Sequence, residues 1–158
     1  MEDLDNDLKQ LIRLPLAYHE AGHAVTAYYL GMVLTSVGIG LDLRPDAAGL
    51  ARYRHRRKRN AYRDLVVVCA GPIAEARFRG RPIDGTDDDS GAGAEILREQ
   101  GWPPSFLVEA RAEAENLLRR DDVWSAVDLL AASIERHRVV TGRSATYTIG
   151  RVLSRRPS

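Results

Sequence analysis

Pro15-Leu16-Ala17-Tyr18-His19-Glu20-Ala21-Gly22-His23-Ala24-Val25-Thr26-Ala27-Tyr28-Tyr29-Leu30-Gly31 is the stretch on which the reading of this chain turns. Leu16, Ala17, Tyr18, Ala21, Ala24, Val25, Ala27, Tyr28 and Leu30 predict a strongly apolar helix over 15–30. Pro15 suits its first turn and Gly31 its stop. On a helix each residue advances by about 100°, so His19 and His23 project from one face, one turn apart. Two imidazoles so placed suit two positions of a tetrahedral Zn²⁺. Glu20 falls beside them, where a carboxylate can take a proton from water without filling a ligand position. Two His and a Glu are costly to bury in such a helix unless something binds them. The bland alternative is a pair of satisfied core histidines with no metal. The chemistry implied is metal-assisted hydrolysis, most often of a peptide bond.

Working outward, the 158 residues fit one domain with a core of ordinary size. A hydrophobic fraction of 44% and a charged fraction of 28% are those of a soluble globular protein. The net charge of +1 makes no case for nucleic acid. Cys69 is the single cysteine, which excludes an internal disulfide framework and suits a reducing, cytoplasmic compartment. Met1 to Asp7 is acidic and lacks the basic and apolar regions of a signal peptide. Residues 21–41 contain no Asp, Glu, Lys or Arg, a length that reaches across a bilayer on paper. They also contain Gly31, Gly38 and Gly40, and the alternation Val37-Gly38-Ile39-Gly40-Leu41 reads as a strand. Helix, glycine stop and strand is therefore the reading, with no membrane span.

The predicted architecture is α+β and mostly helical, a small sheet lying beside the motif helix. A short amphipathic helix is expected over 3–12, and strands over 35–41 and 49–54 form a hairpin about a polar turn at Asp42–Asp46. A helix over 60–70 follows, although Leu65-Val66-Val67-Val68-Cys69-Ala70 suits a strand by propensity. Gly71-Pro72 opens a further helical stretch to Arg79, and residues 80–91 are loop-like. Helices ending at Gln100, then over 105–120 and 122–139, complete a core over about 15–140. The arginine-bearing segment 141–158 is expected to be a flexible tail.

A catalytic zinc takes three protein donors and keeps one open position. Tyr29 stands where the extended H-E-x-x-H-x-x-G-x-x-H pattern would place a third His, and residues 40–50 hold only Asp42 and Asp46. The acidic candidates further on are Glu75 and the run Asp87, Asp88, Asp89.

Four stretches together resemble the peptidase domain of the FtsH-type ATP-dependent zinc metalloprotease family. They are Ala17-Tyr18-His19-Glu20-Ala21-Gly22-His23-Ala24-Val25, the strand and turn over 37–50, Ala70-Gly71-Pro72-Ile73-Ala74-Glu75, and Asp89 to Arg98. The likeness spans about 15–140, its first stretch the most specific. It implies that Asp89 completes a zinc site begun by His19 and His23. A one-residue slip would choose Asp88, and a solvated loop capping the next helix is the plain alternative. Glu75 is read either as accepting a ring N–H from a ligand His or as a first-turn carboxylate favoured by the helix dipole. The resemblance implies a zinc metalloendopeptidase with Zn²⁺ as cofactor and Glu20 as its general base.

There are departures from that family. Its members fuse this domain to a membrane anchor and an AAA+ motor. Lys9 and Lys58 are the two lysines here and neither follows a glycine, so no Gly-Lys-[Ser/Thr] phosphate loop exists and hydrolysis is ATP-independent within this chain. The expected partners are a polypeptide substrate and a separate motor or regulatory protein. A non-catalytic zinc-stabilised interaction or regulatory module is the alternative, as is a peptidase that cuts one repressor-like partner. Arg52-Tyr53-Arg54-His55-Arg56-Arg57-Lys58-Arg59 is read as a solvated strand edge rather than a nucleic-acid site. His55 and His137 are not expected to be ligands, and Cys69, Trp102 and Trp124 are expected to pack.

Overall fold

A computed structural model describes residues 2–40, 49–82 and 91–155. In chain order these form α1 (Glu2–Tyr29), β1 (Val33–Ile39), β2 (Gly49–Arg54), α2 (Ala61–Arg79), α3 (Ala92–Gln100), α4 (Ser105–Leu118), α5 (Asp121–His137), β3 (Val139–Thr141) and α6 (Gly142–Gly150). The expected α+β class holds: helices dominate, and one three-stranded antiparallel sheet runs in the order β2-β1-β3. Val37 sits at its middle, opposite Ala51 on one side and Val140 on the other. Among the described residues no helix is long and apolar enough to cross a membrane.

The central packing is α1 against α2. Ala17, Ala21, Ala24, Val25 and Tyr28 are buried on α1, and Leu65, Val66, Ala70, Ile73 and Ala74 on α2. Small residues let the two backbones approach closely. A Cβ at Gly22 would lie 2.6 Å from Ala74 Cβ and 2.8 Å from the Ala70 carbonyl oxygen, so only glycine fits at that crossing. Tyr18 ties α1 to both neighbours: its ring stacks on Phe78 at 4.2 Å and its hydroxyl donates to Asp128 Oδ1 at 2.6 Å.

Three expectations need correction. The helices expected over 3–12 and 15–30 are one continuous α1, with Pro15 inside it. The segments 60–70 and 72–79 are likewise one helix, capped by the Asn60 side chain at its start and by Gly80 in the left-handed conformation at its end. A proline inside a helix removes one i→i−4 hydrogen bond. In α2 the buried residues on both sides of Pro72 outweigh that loss, whereas in α1 only the residues after Pro15 are packed in the core and Leu4, Leu8 and Leu11 before it are exposed. The Leu65–Ala70 run is helical for the same reason: it is buried on nearly every side, and burial overrides β propensity.

The third correction concerns the end of the chain. Residues 139–150 form β3 and α6 rather than a loose tail. Ala145, Ile149 and Leu153 are buried in the core. Arg155 Nη1 donates to the carbonyls of Tyr28 and Met32 at 3.3 and 3.0 Å. The expected hairpin is present as β1 and β2, whereas its turn lies outside the described residues.

Candidate metal centre

His19 and Glu20 share one turn of α1 and His23 lies on the next, where α1 crosses α2. One ligand-type atom from each lies within 4.8 Å of the others. Glu20 and His23 are buried at 5% and 7% exposure, far below the usual exposure of a carboxylate. The two imidazoles meet edge to face, their centroids 4.8 Å apart at 79°.

The outer nitrogen of each ring is engaged. His23 Nδ1 lies 2.7 Å from the Val67 carbonyl oxygen. A carbonyl only accepts, so Nδ1 carries a proton and donates it to Val67. His19 Nδ1 lies 3.0 Å from Glu75 Oε2 and donates to that carboxylate. Glu75 also accepts from Arg79 Nε at 3.0 Å. The bond from His19, aided by Arg79, holds the Glu75 carboxyl below the usual carboxylate range despite its partial burial. Histidines that bind metals characteristically donate their second ring N–H in this way, which fixes ring and tautomer together.

The two Nε2 atoms converge on Gly71 of α2. A Cβ there would meet His23 Nε2 at 2.3 Å and His19 Nε2 at 2.8 Å. Any side chain at 71 would occupy the space between the rings. The donor set fits a zinc ion: two imidazole nitrogens facing one small space, with a carboxylate beside them.

Beside this cluster lies a cleft of about 160 Å³, lined by Glu20 and His23, by Val67 and Val68 of α2, and by Leu50, Ala51 and Tyr53 of β2. β2 lies at one side of the described sheet, and three of its residues line this cleft. Tyr53 donates to Asp64 Oδ1 at 3.0 Å, and Asp64 also receives His55 Nε2 at 2.7 Å and Arg59 Nε at 2.7 Å. Asp64 is itself buried at 6% exposure. Burial and the Asp64 carboxylate push the Tyr53 phenol pKa upward, so Tyr53 stays a donor. The cluster pins β2 to the first turn of α2, three residues before the carbonyl that holds His23.

Of the residues singled out from sequence, His19, Glu20, His23 and Glu75 are brought together. Glu75 lies deep inside α2, so the first-turn carboxylate reading is overturned. Asp87, Asp88 and Asp89 lie outside the described residues. His55 is tied to Asp64 and His137 is exposed. Cys69 is buried, and Trp102 and Trp124 pack against the core. Arg52 and Arg54 are exposed while Ala51 and Tyr53 are half-buried, the alternation expected of a strand with one solvated face. Sequence reading missed Gly71, the Val67 carbonyl and Asp64. From sequence the Gly71-Pro72 pair reads as a helix start, yet a glycine amid Ala70 and Ala74 is also a sign of close helix packing.

No protein-family model matches the chain. The chain is 32% identical over 143 residues to the ATP-dependent zinc metalloprotease FtsH 1 of Symbiobacterium thermophilum. The match covers 78% of this chain and 23% of that protein, so the chain spans less than a quarter of its relative's length.

Proposed function

We propose that this chain is an FtsH-related, zinc-dependent metallopeptidase domain that hydrolyses peptide bonds with Glu20 as general base. The observation that supports this most is the convergence of His19 and His23 Nε2 on Gly71, both rings being oriented from behind. In this reading His19 and His23 hold Zn²⁺, and Asp89, or Asp88 beside it, gives the third donor. Bound there, Zn²⁺ would supply Lewis acidity, making water acidic enough to attack a carbonyl near neutral pH. Glu20, buried beside the two rings, would accept a proton from the attacking water and pass it to the leaving amine. Glu75 and the Val67 carbonyl keep the two imidazoles in the tautomer that binds a metal through Nε2.

Substrate would enter extended along the outer edge of β2. Backbone hydrogen bonds to that edge tolerate many side chains. Leu50, Ala51 and Tyr53 would then lie under the peptide, next to Glu20. The sequence holds no Gly-Lys-[Ser/Thr] phosphate loop, so residues 1–158 do not themselves supply an ATP-driven unfolding force.

The test is cleavage of an unfolded, fluorescence-quenched peptide by zinc-loaded protein. Glu20→Gln should keep its zinc and lose about 10²–10⁴-fold in rate. Zinc-loaded wild type that cleaves no unfolded peptide would favour the non-catalytic, zinc-stabilised module instead.

A further inference from the structure

A second recess lies at the C-terminal end of α1, some seven residues and about 10 Å along the helix beyond His23. Its volume is about 570 Å³, within the range of small-molecule sites. Arg56, Arg57, Lys58, Arg63 and Arg155 line it together with His55, and no Asp or Glu among the described residues does.

Three of these cations are held in place by neutral acceptors. Arg56 Nε donates to the Gly31 carbonyl at 3.1 Å and Arg63 Nη1 to the Leu30 carbonyl at 2.9 Å. Arg155 donates to the Tyr28 and Met32 carbonyls and lies over the Tyr28 ring at 4.2 Å. A helix C-terminus offers only about half a negative charge. Each guanidinium has five N–H donors, so most remain for another acceptor. Arg57 and Lys58 are exposed and make no ion pair among the described residues. Burial pushes the Arg155 pKa down, and Arg56 close by adds to it.

We propose that this recess binds a compact oligophosphate anion. Guanidinium forks match phosphate oxygens two at a time, and a strand edge explains neither Arg63, on the first turn of α2, nor Arg155, from the far end of the chain, joining the basic run. A single-stranded nucleic acid is disfavoured because no Tyr, Phe or Trp lines the recess for bases to stack on. An acidic peptide is disfavoured because the cations line a hollow rather than an extended groove.

The experiment is calorimetric titration of the full chain with inorganic tripolyphosphate at about 50 mM salt, where screening is modest. Saturable one-to-one binding is expected. The double variant Arg57→Glu, Lys58→Glu should weaken it by about tenfold or more. Arg52→Glu with Arg54→Glu makes the same charge change on a strand face that does not line the recess and should leave affinity nearly unchanged. Circular dichroism and zinc content check that both variants fold. No saturable heat, equal loss in both variants, or binding of an oligonucleotide or poly-glutamate but not tripolyphosphate would each overturn the proposal.

Discussion

His19 Nδ1 donates to Glu75 Oε2 across 3.0 Å, a bond between α1 and α2 that links residues 56 positions apart. In the proposed zinc site, Glu75 is the group that orients the His19 ring. Removing it leaves the ring free to turn and withdraws negative charge from behind the nitrogen. Glu75→Ala is expected to weaken zinc affinity by about 10–100-fold, read by competition with a chromophoric chelator. Unchanged affinity would detach Glu75 from the site.

Gly71→Ala places a methyl group within 2.3 Å of His23 Nε2 and 2.8 Å of His19 Nε2. The rings must then swing away, breaking the bonds to Val67 and Glu75. The expected outcome is loss of bound zinc with a helical spectrum close to wild type. A variant that retains full zinc occupancy would mean the two nitrogens do not meet over this glycine.

Asp64 is buried and receives hydrogen bonds from Tyr53, His55 and Arg59. Asp64→Ala leaves the half-buried Tyr53 hydroxyl and His55 without this acceptor. A loss of about 1–3 kcal/mol in urea unfolding is expected. Since β2 forms one wall of the cleft, peptide KM should rise with it. A variant as stable as wild type would show that solvent replaces Asp64 readily.

Ile149 is fully buried on α6. Ile149→Ala should destabilise the protein by about 2–5 kcal/mol. A dangling tail would register almost nothing, so the same unfolding measurement decides whether residues 142–153 belong to the core.

The motif helix and the sheet beside it were legible because local signals agreed there: an apolar stripe, a glycine stop and strand alternation. Pro72 misled, since a proline marks a helix start only where tertiary packing does not carry the helix through it; Pro15 also lies inside its helix, although the leucines before it are exposed. The end of the chain was obscured by its arginines, although Ala145, Ile149 and Leu153 at intervals of four were the helical signal. The pairs His19–Glu75 and His23–Val67 depend on how α1 crosses α2, which no local pattern encodes. Gly22, Ala70, Gly71 and Ala74 do encode that the crossing is close.

The central claim, that His19 and His23 hold one zinc ion, is tested most directly by elemental analysis of purified protein beside His23→Ala. The account predicts about one zinc per chain in the wild type and almost none in the variant. A wild type that holds no zinc after loading, or a variant that holds as much, would contradict it.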